Sequence, residues 1–137
     1  LNTADESAFE GKMLPGTNCA DAPVRFAGQA TWFLNVLNST MGSKNAVADG
    51  FTLLVFGAKP PVLNVGVDRV HVRVLAVGTD IEDMDGVLAQ RYDAQPGTVY
   101  LIRPDQHVAA RWRSFDAAKI QTAIRRAIGA KDTIGSN

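Results

Sequence analysis

Cys19 is the one thiol in the 137 residues, and its neighbours Asn18, Ala20 and Asp21 bring no positive charge to lower its pKa. A single cysteine excludes an internal disulfide and every multi-cysteine metal site. With His71 and His107 as the two histidines, a structural zinc site lacks four good ligands. Cys19 therefore reads as a passive loop residue. Neither histidine stands at a spacing that pairs it with a nucleophile, so both read as structural. The acidic run Asp80, Glu82, Asp83, Asp85 before Gly86 has the look of a calcium loop. Setting Gly86 at loop position six, however, puts Ile81 and Tyr92 where carboxylates are required. The run reads instead as a solvated approach to a helix. None of the 12 glycines forms a G-x-G pair, and no phosphate-cradling loop occurs. Arg111, Arg113, Lys119, Arg125, Arg126 and Lys131 gather positive charge near the end of the chain. Only Trp112 and Phe115 accompany them, so a solvated helix face is expected rather than a base-stacking platform. Asn38-Ser39-Thr40 matches the glycosylation triplet, which matters only in a secreted chain.

The composition sets the frame for these residues. The chain is 46% hydrophobic and 20% charged, with 14 basic and 14 acidic residues. That length and apolar content suit one domain with its own core. The charge balance offers no field for nucleic acid or an anionic membrane, and no apolar run approaches the length of a membrane span. Residues 1–8 lack the cationic start and apolar block of a secretory leader, so a reducing cytoplasm is the expected setting. The first residue is Leu1, from which the chain is expected to be a piece of a longer polypeptide or one whose start was removed.

The elements that must position these side chains follow from periodicity. Residues 1–12 read as a flexible polar tail, and residues 13–25, with Pro15, Gly16 and Pro23, as an irregular loop. Trp32, Phe33, Val36 and Leu37 predict a short helix from Thr31, followed by a loop over 38–50. Phe51 to Phe56 is a continuous apolar run, expected as a strand buried on both faces and stopped by Pro60 and Pro61. Val70 to Val77 predicts a second, inner strand. One short helix is expected within 81–93, interrupted or started near Gly86. Thr98 to Ile102 and Val108 to Trp112 flank Arg103-Pro104-Asp105-Gln106, which predicts a hairpin with proline presetting φ in the turn. Ile120, Ala123, Ile124, Ala127 and Ile128 form one apolar helical stripe, with Asp116 as N-cap and Gly129 past the end. Residues 13–129 form the expected domain and 130–137 a tail. The fold class is α/β, a mixed central sheet flanked by helices.

The order of these elements, with Pro96 to Ile102, a turn, Val108 to Trp112 and a final amphipathic helix, resembles the second half of thioredoxin. On that reading Phe51 to Phe56 is the strand before the redox motif, and the fold is thioredoxin-like without the redox cysteine pair. The residues that follow, Gly57 to Leu63, contain no thiol, which removes the nucleophile of exchange chemistry. The segment Tyr100 to Trp112, with Leu14-Pro15-Gly16-Thr17, Asp21-Ala22-Pro23-Val24 and Phe51 to Gly57, resembles the C-terminal domain of FAD-dependent aromatic-ring hydroxylases. That group includes phenol hydroxylase, pentachlorophenol monooxygenase and 3-(3-hydroxyphenyl)propionate hydroxylase. The likeness spans residues 13–129. It implies a parent enzyme that binds FAD upstream, takes hydride from NAD(P)H and oxygenates a phenolic ring. It also implies that this domain packs on the upstream FAD and substrate domain, with a homodimer as a second kind of partnership. No catalytic, cofactor-binding or metal-ligating residue is carried over. Arg103, Pro104 and Asp105 match the family's hairpin in a structural role. Two other readings stand beside this one: a free-standing thioredoxin- or peroxiredoxin-like thiol protein using Cys19, and a free-standing protein-interaction module.

Overall fold

The apolar runs of the sequence become the inner strands of a single sheet, and shorter strands extend it on both sides. A computed structural model describes residues 2–5, 9, 13–38, 50–58 and 70–129, with the His71 side chain excepted. The strands are β1 (Pro23–Phe26), β2 (Gln29–Trp32), β3 (Gly50–Phe56), β4 (His71–Val77), β5 (Ile81–Asp83), β6 (Val99–Ile102) and β7 (Val108–Trp112). The helices are α1 (Phe33–Leu37), α2 (Val87–Arg91) and α3 (Ala117–Ala127), with a 3₁₀ turn at Met84–Gly86. The strands form one sheet in the order β2-β1-β5-β4-β3-β6-β7. β3 runs parallel to β4 and antiparallel to β6, which makes the sheet mixed. The expected α/β class is what the chain adopts.

β3 carries the packing of both faces. Leu54 and Phe56 point into one core with Leu75, Tyr100, Ile102 and Val108, closed by Phe33, Val36 and Leu37 of α1 and Leu88 of α2. Phe51, Leu53 and Val55 point into the other with Val99, Leu101, Ala110 and Trp112, closed by Ile120, Ala123 and Ile124 of α3. The alternation of a strand sorts one apolar run between two cores. In β6–β7 the pairing shifts between Leu101 and Ile102, a bulge that leaves Ala109 on the same face as Ala110.

Several expectations are corrected. Residues 23–32 form a hairpin, not a loop followed by a helix, because Ala27 (φ 52) and Gly28 (φ 79) supply the two left-handed positions of a tight turn. Thr31 and Trp32 belong to β2, and Trp32 is 51% exposed rather than part of an apolar helix face. In the span 81–93 the helix α2 does start after Gly86 as expected, but Ile81–Asp83 form β5 instead of helix, because Ile81 pairs with Val77 and Phe26. Residues 2–5, expected as part of a flexible tail, lie against β7, with the Thr3 amide donating to the Ala109 carbonyl at 2.9 Å. The expected loop over 38–50 (apart from Asn38 and Gly50), Pro60, Pro61 and the 130–137 tail lie outside the described residues.

The hairpin at 103–107 and the final helix are as expected. Asp116 caps α3 by accepting the Lys119 amide at 3.1 Å, and Gly129 adopts φ 75 past the helix end. Ile128 departs from the predicted stripe. It is 43% exposed, whereas Ile120 and Ile124 are fully buried, because α3 ends at Ala127. Ile120→Ala or Ile124→Ala should cost about 2–5 kcal/mol, and Ile128→Ala under about 1 kcal/mol. Urea unfolding of the three variants checks this; equal losses at 124 and 128 would contradict the packing of α3.

Candidate functional site

Charge inside an apolar layer is the feature that sets one region apart. Strand alternation in β7 turns Arg111 away from Trp112 and toward the face of Tyr100, its cross-strand partner. There its side chain is 1% exposed. A guanidinium at that depth requires a carboxylate, and Asp5 supplies it. The Arg111 Nε donates to Asp5 Oδ1 at 3.0 Å and Nη2 to Oδ2 at 2.8 Å, a two-pronged fork. Burial works to lower the Arg111 pKa, but the bonds to Asp5 and Tyr100 outweigh it and hold the group above its ordinary value.

The network continues inward. Arg111 Nη1 donates to the Tyr100 hydroxyl at 3.4 Å, and that hydroxyl donates to the Tyr92 carbonyl. The Tyr92 hydroxyl donates to the Ala20 carbonyl at 2.6 Å. The two tyrosine rings meet edge to face with centroids 5.0 Å apart, and Phe33, Phe56 and Phe9 pack around them in similar geometry. Phe9 also lies under two guanidinium groups, 4.3 Å from Arg111 and 3.9 Å from Arg113. Arg113 binds Asp93 through Nη2–Oδ2 at 2.9 Å and its carbonyl at 2.6 Å. Burial pushes both phenols up, so Tyr92 and Tyr100 stay protonated as hydrogen-bond donors.

Arg111 and Arg113 therefore correct the expected solvated basic face. They lie on β7 and just beyond it, not on the helix, and both are paired. Lys131 lies outside the described residues. The signal for Arg111 is present in the sequence: an arginine inside Val108 to Trp112, a run read as a strand, must meet a carboxylate. Nothing in the sequence identifies Asp5 as that partner.

Cys19 sits buried beside Tyr92 and Asp105, and burial pushes its thiol up to about 12. His107 is one-third exposed at the hairpin, with Nδ1 3.2 Å from Asp105 Oδ1, and Arg103 pairs with the same carboxylate. Burial acts to raise the Asp105 pKa, yet the bond and charge of Arg103 prevail and hold it below the ordinary value. Arg103, Pro104 and Asp105 are thus brought together as turn geometry. Gln106 (φ 63) completes the turn, and its side-chain amide donates to the Leu34 carbonyl at 3.1 Å, tying the hairpin to α1. Of the acidic run, Asp83 accepts the Leu88 and Ala89 amides at 2.8 and 2.9 Å, and Asp80 accepts the Ala76 amide at 2.9 Å. These carboxylates satisfy backbone donors at the start of α2 and the end of β4. Among the described residues no group of three or more metal-ligating side chains converges.

A cleft of about 790 Å³ opens between the β1–β2 turn, β4 and the Gly78–Glu82 segment. Arg25 and Glu82 pair across it at 3.6 Å. Arg73, on its floor, donates to the Val36 and Leu37 carbonyls at 3.2 Å and to Thr52. The Arg73 guanidinium here serves the end of α1 and the sheet.

Among solved structures, the fold matches part of aklavinone-11 hydroxylase, solved as a ternary complex with FAD and aklavinone. The TM-score is 0.66 and the identity 22%, over 94% of this chain and 25% of that one. It also matches part of the flavin-dependent monooxygenase PieE, solved with FAD and substrate, with TM-score 0.68 and identity 23%, over 94% of this chain and 23% of that one. The chain spans about a quarter of the length of these enzymes, and at this identity the likeness is one of fold. Comparison with protein-family models and with curated proteins finds no match. No described helix is long and apolar enough to cross a membrane.

A thiol raised to about 12 has less than its normal thiolate fraction at neutral pH. Native protein at pH 8 should react with a thiol-specific disulfide reagent only as fast as it unfolds, and fully in denaturant. Because the folded value lies above the ordinary 9.0, Cys19 favours the fold below pH 9 and withdraws that contribution as pH rises toward 12. Cys19→Ala should therefore lessen the alkaline loss of stability measured by melting at pH 8 and pH 10.5. Rapid stoichiometric labelling of native protein would contradict the buried thiol.

Proposed function

We propose that this chain is a non-catalytic structural and association domain of a FAD-dependent, NAD(P)H-using aromatic-ring hydroxylase acting on a phenolic substrate in the cytoplasm. The observation that carries this reading is the fold match covering 94% of the chain within a hydroxylase and a flavin-dependent monooxygenase, both solved with FAD and each about four times its length. In this reading FAD, the nicotinamide and the substrate are held by the upstream part of the enzyme, and the present domain contributes packing. The internal chemistry is consistent with that division. Arg111, Arg113, Asp83 and Asp105 are all engaged in holding strands, turns and helix ends. The buried Cys19 speaks against a thiol enzyme.

The test uses the full-length polypeptide that carries this segment. Ile124→Asp places an unpaired charge in the α3 core, at a cost of several kcal/mol. It should lower thermal stability, solubility or subunit association, while the flavin reduction rate per bound flavin changes by less than about threefold. Stopped-flow reduction and light-scattering mass measure the two together. A loss of about a hundredfold in reduction rate, with mass and flavin content intact, would place a catalytic group in this domain and overturn the proposal.

A further inference from the structure

The outer edge of β7 is held in two different ways. Along its first half the backbone of residues 16–19 closes the edge: Gly16 donates to the Val108 carbonyl at 2.7 Å, Val108 to Thr17 at 2.9 Å and Cys19 to Gln106 at 2.9 Å. Along its second half the covering residues are 2–5 and Phe9, and among the described residues one backbone bond, Thr3 to Ala109, joins them to the strand. The other contacts of that attachment among the described residues run between side chains. They consist of the Asp5 fork on Arg111, the Phe9 ring against Arg111, Arg113 and Tyr100, and long contacts from Arg126 to Thr3 (3.4 Å) and Arg103 to Asn2 (3.3 Å). Residues 2–5 and Phe9 themselves take no part in the β6–β7 ladder or the α3 core.

We infer that the second half of the β7 edge is a peptide-binding groove, occupied in cis by residues 2–5 and Phe9 as a detachable strap, and that it recognises an acidic segment with an aromatic residue four positions beyond the carboxylate. Arg111 is the specificity element, because a planar guanidinium fixed by Tyr100 reads a carboxylate with two parallel bonds. Phe9 fills the apolar part, and the Thr3–Ala109 bond sets the direction of the segment, as in strand addition to a sheet edge. While the strap is seated, Arg111 is covered. When it leaves, Arg111, Arg113 and the edge of Tyr100 face solvent together, so the strap and any second acidic segment compete for one site.

The experiment uses the whole 137-residue chain carrying Asp5→Lys, which loosens the strap without truncation, and a fluorescent peptide of residues 1–9. The peptide should bind this variant in fluorescence anisotropy, and roughly tenfold or more weakly to the wild-type chain, whose own strap holds the groove at high effective concentration. Peptides carrying Asp5→Asn or Phe9→Ala should lose roughly tenfold in affinity. Absence of binding to an Asp5→Lys chain that still melts cooperatively, or equal affinity of the unaltered and Asp5→Asn peptides, overturns the groove. If Asp5→Lys does not fold, Asp5→Asn in the full chain serves instead. Its Thr3 amide should exchange with deuterium roughly tenfold faster or more than in wild type, and unchanged protection there overturns the detachable strap.

Discussion

A strand buried on both faces obliges the chain to cover it twice, and β3 imposes that requirement here. Phe51, Leu53 and Val55 need one cover, Leu54 and Phe56 another, and neither α1 with α2 nor α3 can supply both. The neighbours of β3 follow from the same constraint. β4 runs parallel and β6 antiparallel to it, and each alternates in step with it, so the two cores extend sideways through the sheet without a break. A period-two pattern shared by adjacent strands is what lets a single apolar run organise two separate layers.

The polar architecture is a consequence of this layering. The β7 residue paired with Tyr100 must share its face, and that residue is Arg111. Burying a guanidinium is tolerable only when its charge and donors are met. The chain meets them with Asp5 from its start, Tyr100 from the next strand and the Phe9 ring. Residues 106 positions apart in the linear order are drawn together by one buried charge. The tyrosine pair then carries the contact to the Cys19 side of the core, through the Tyr92 and Ala20 carbonyls and a side-chain hydrogen bond between Tyr92 and Cys19.

What can be read from the sequence are the elements whose signals are local and strong. The apolar run of β3, the Pro104 turn of the β6–β7 hairpin and the capped stripe of α3 each carry several concordant cues. The β1–β2 hairpin does not. Its turn is Ala27-Gly28 without the asparagine or aspartate that usually marks such a turn, and β2 is an exposed edge with weak patterning. The 81–93 span is ambiguous because Ile81 belongs to a three-residue strand whose only justification is pairing with Phe26 and Val77. Ile128 fits the helical stripe in projection, yet the helix ends one residue earlier. In the candidate site the individual residues are visible and their pairing is not, since the Asp5–Arg111 contact is a product of tertiary layering that no spacing encodes.

The distribution of ionisable groups bears on what such a layer can do. A catalytic acid or base needs freedom to exchange its proton near the working pH, which calls for partial exposure and a partner that does not lock one state. Arg111 is held charged by Asp5, Tyr92 and Tyr100 are held neutral by burial, and Cys19 is held as the thiol by the same burial. Among the aspartates, Asp83 and Asp116 cap α2 and α3 and Asp105 closes the 103–107 turn, where losing the charge would weaken the element they hold. Holding Arg111, Tyr92, Tyr100 and Cys19 each in one protonation state keeps their contacts constant across the sheet and its edge. That constancy suits a surface on which another polypeptide segment must find a constant shape, as the seated strap on β7 does.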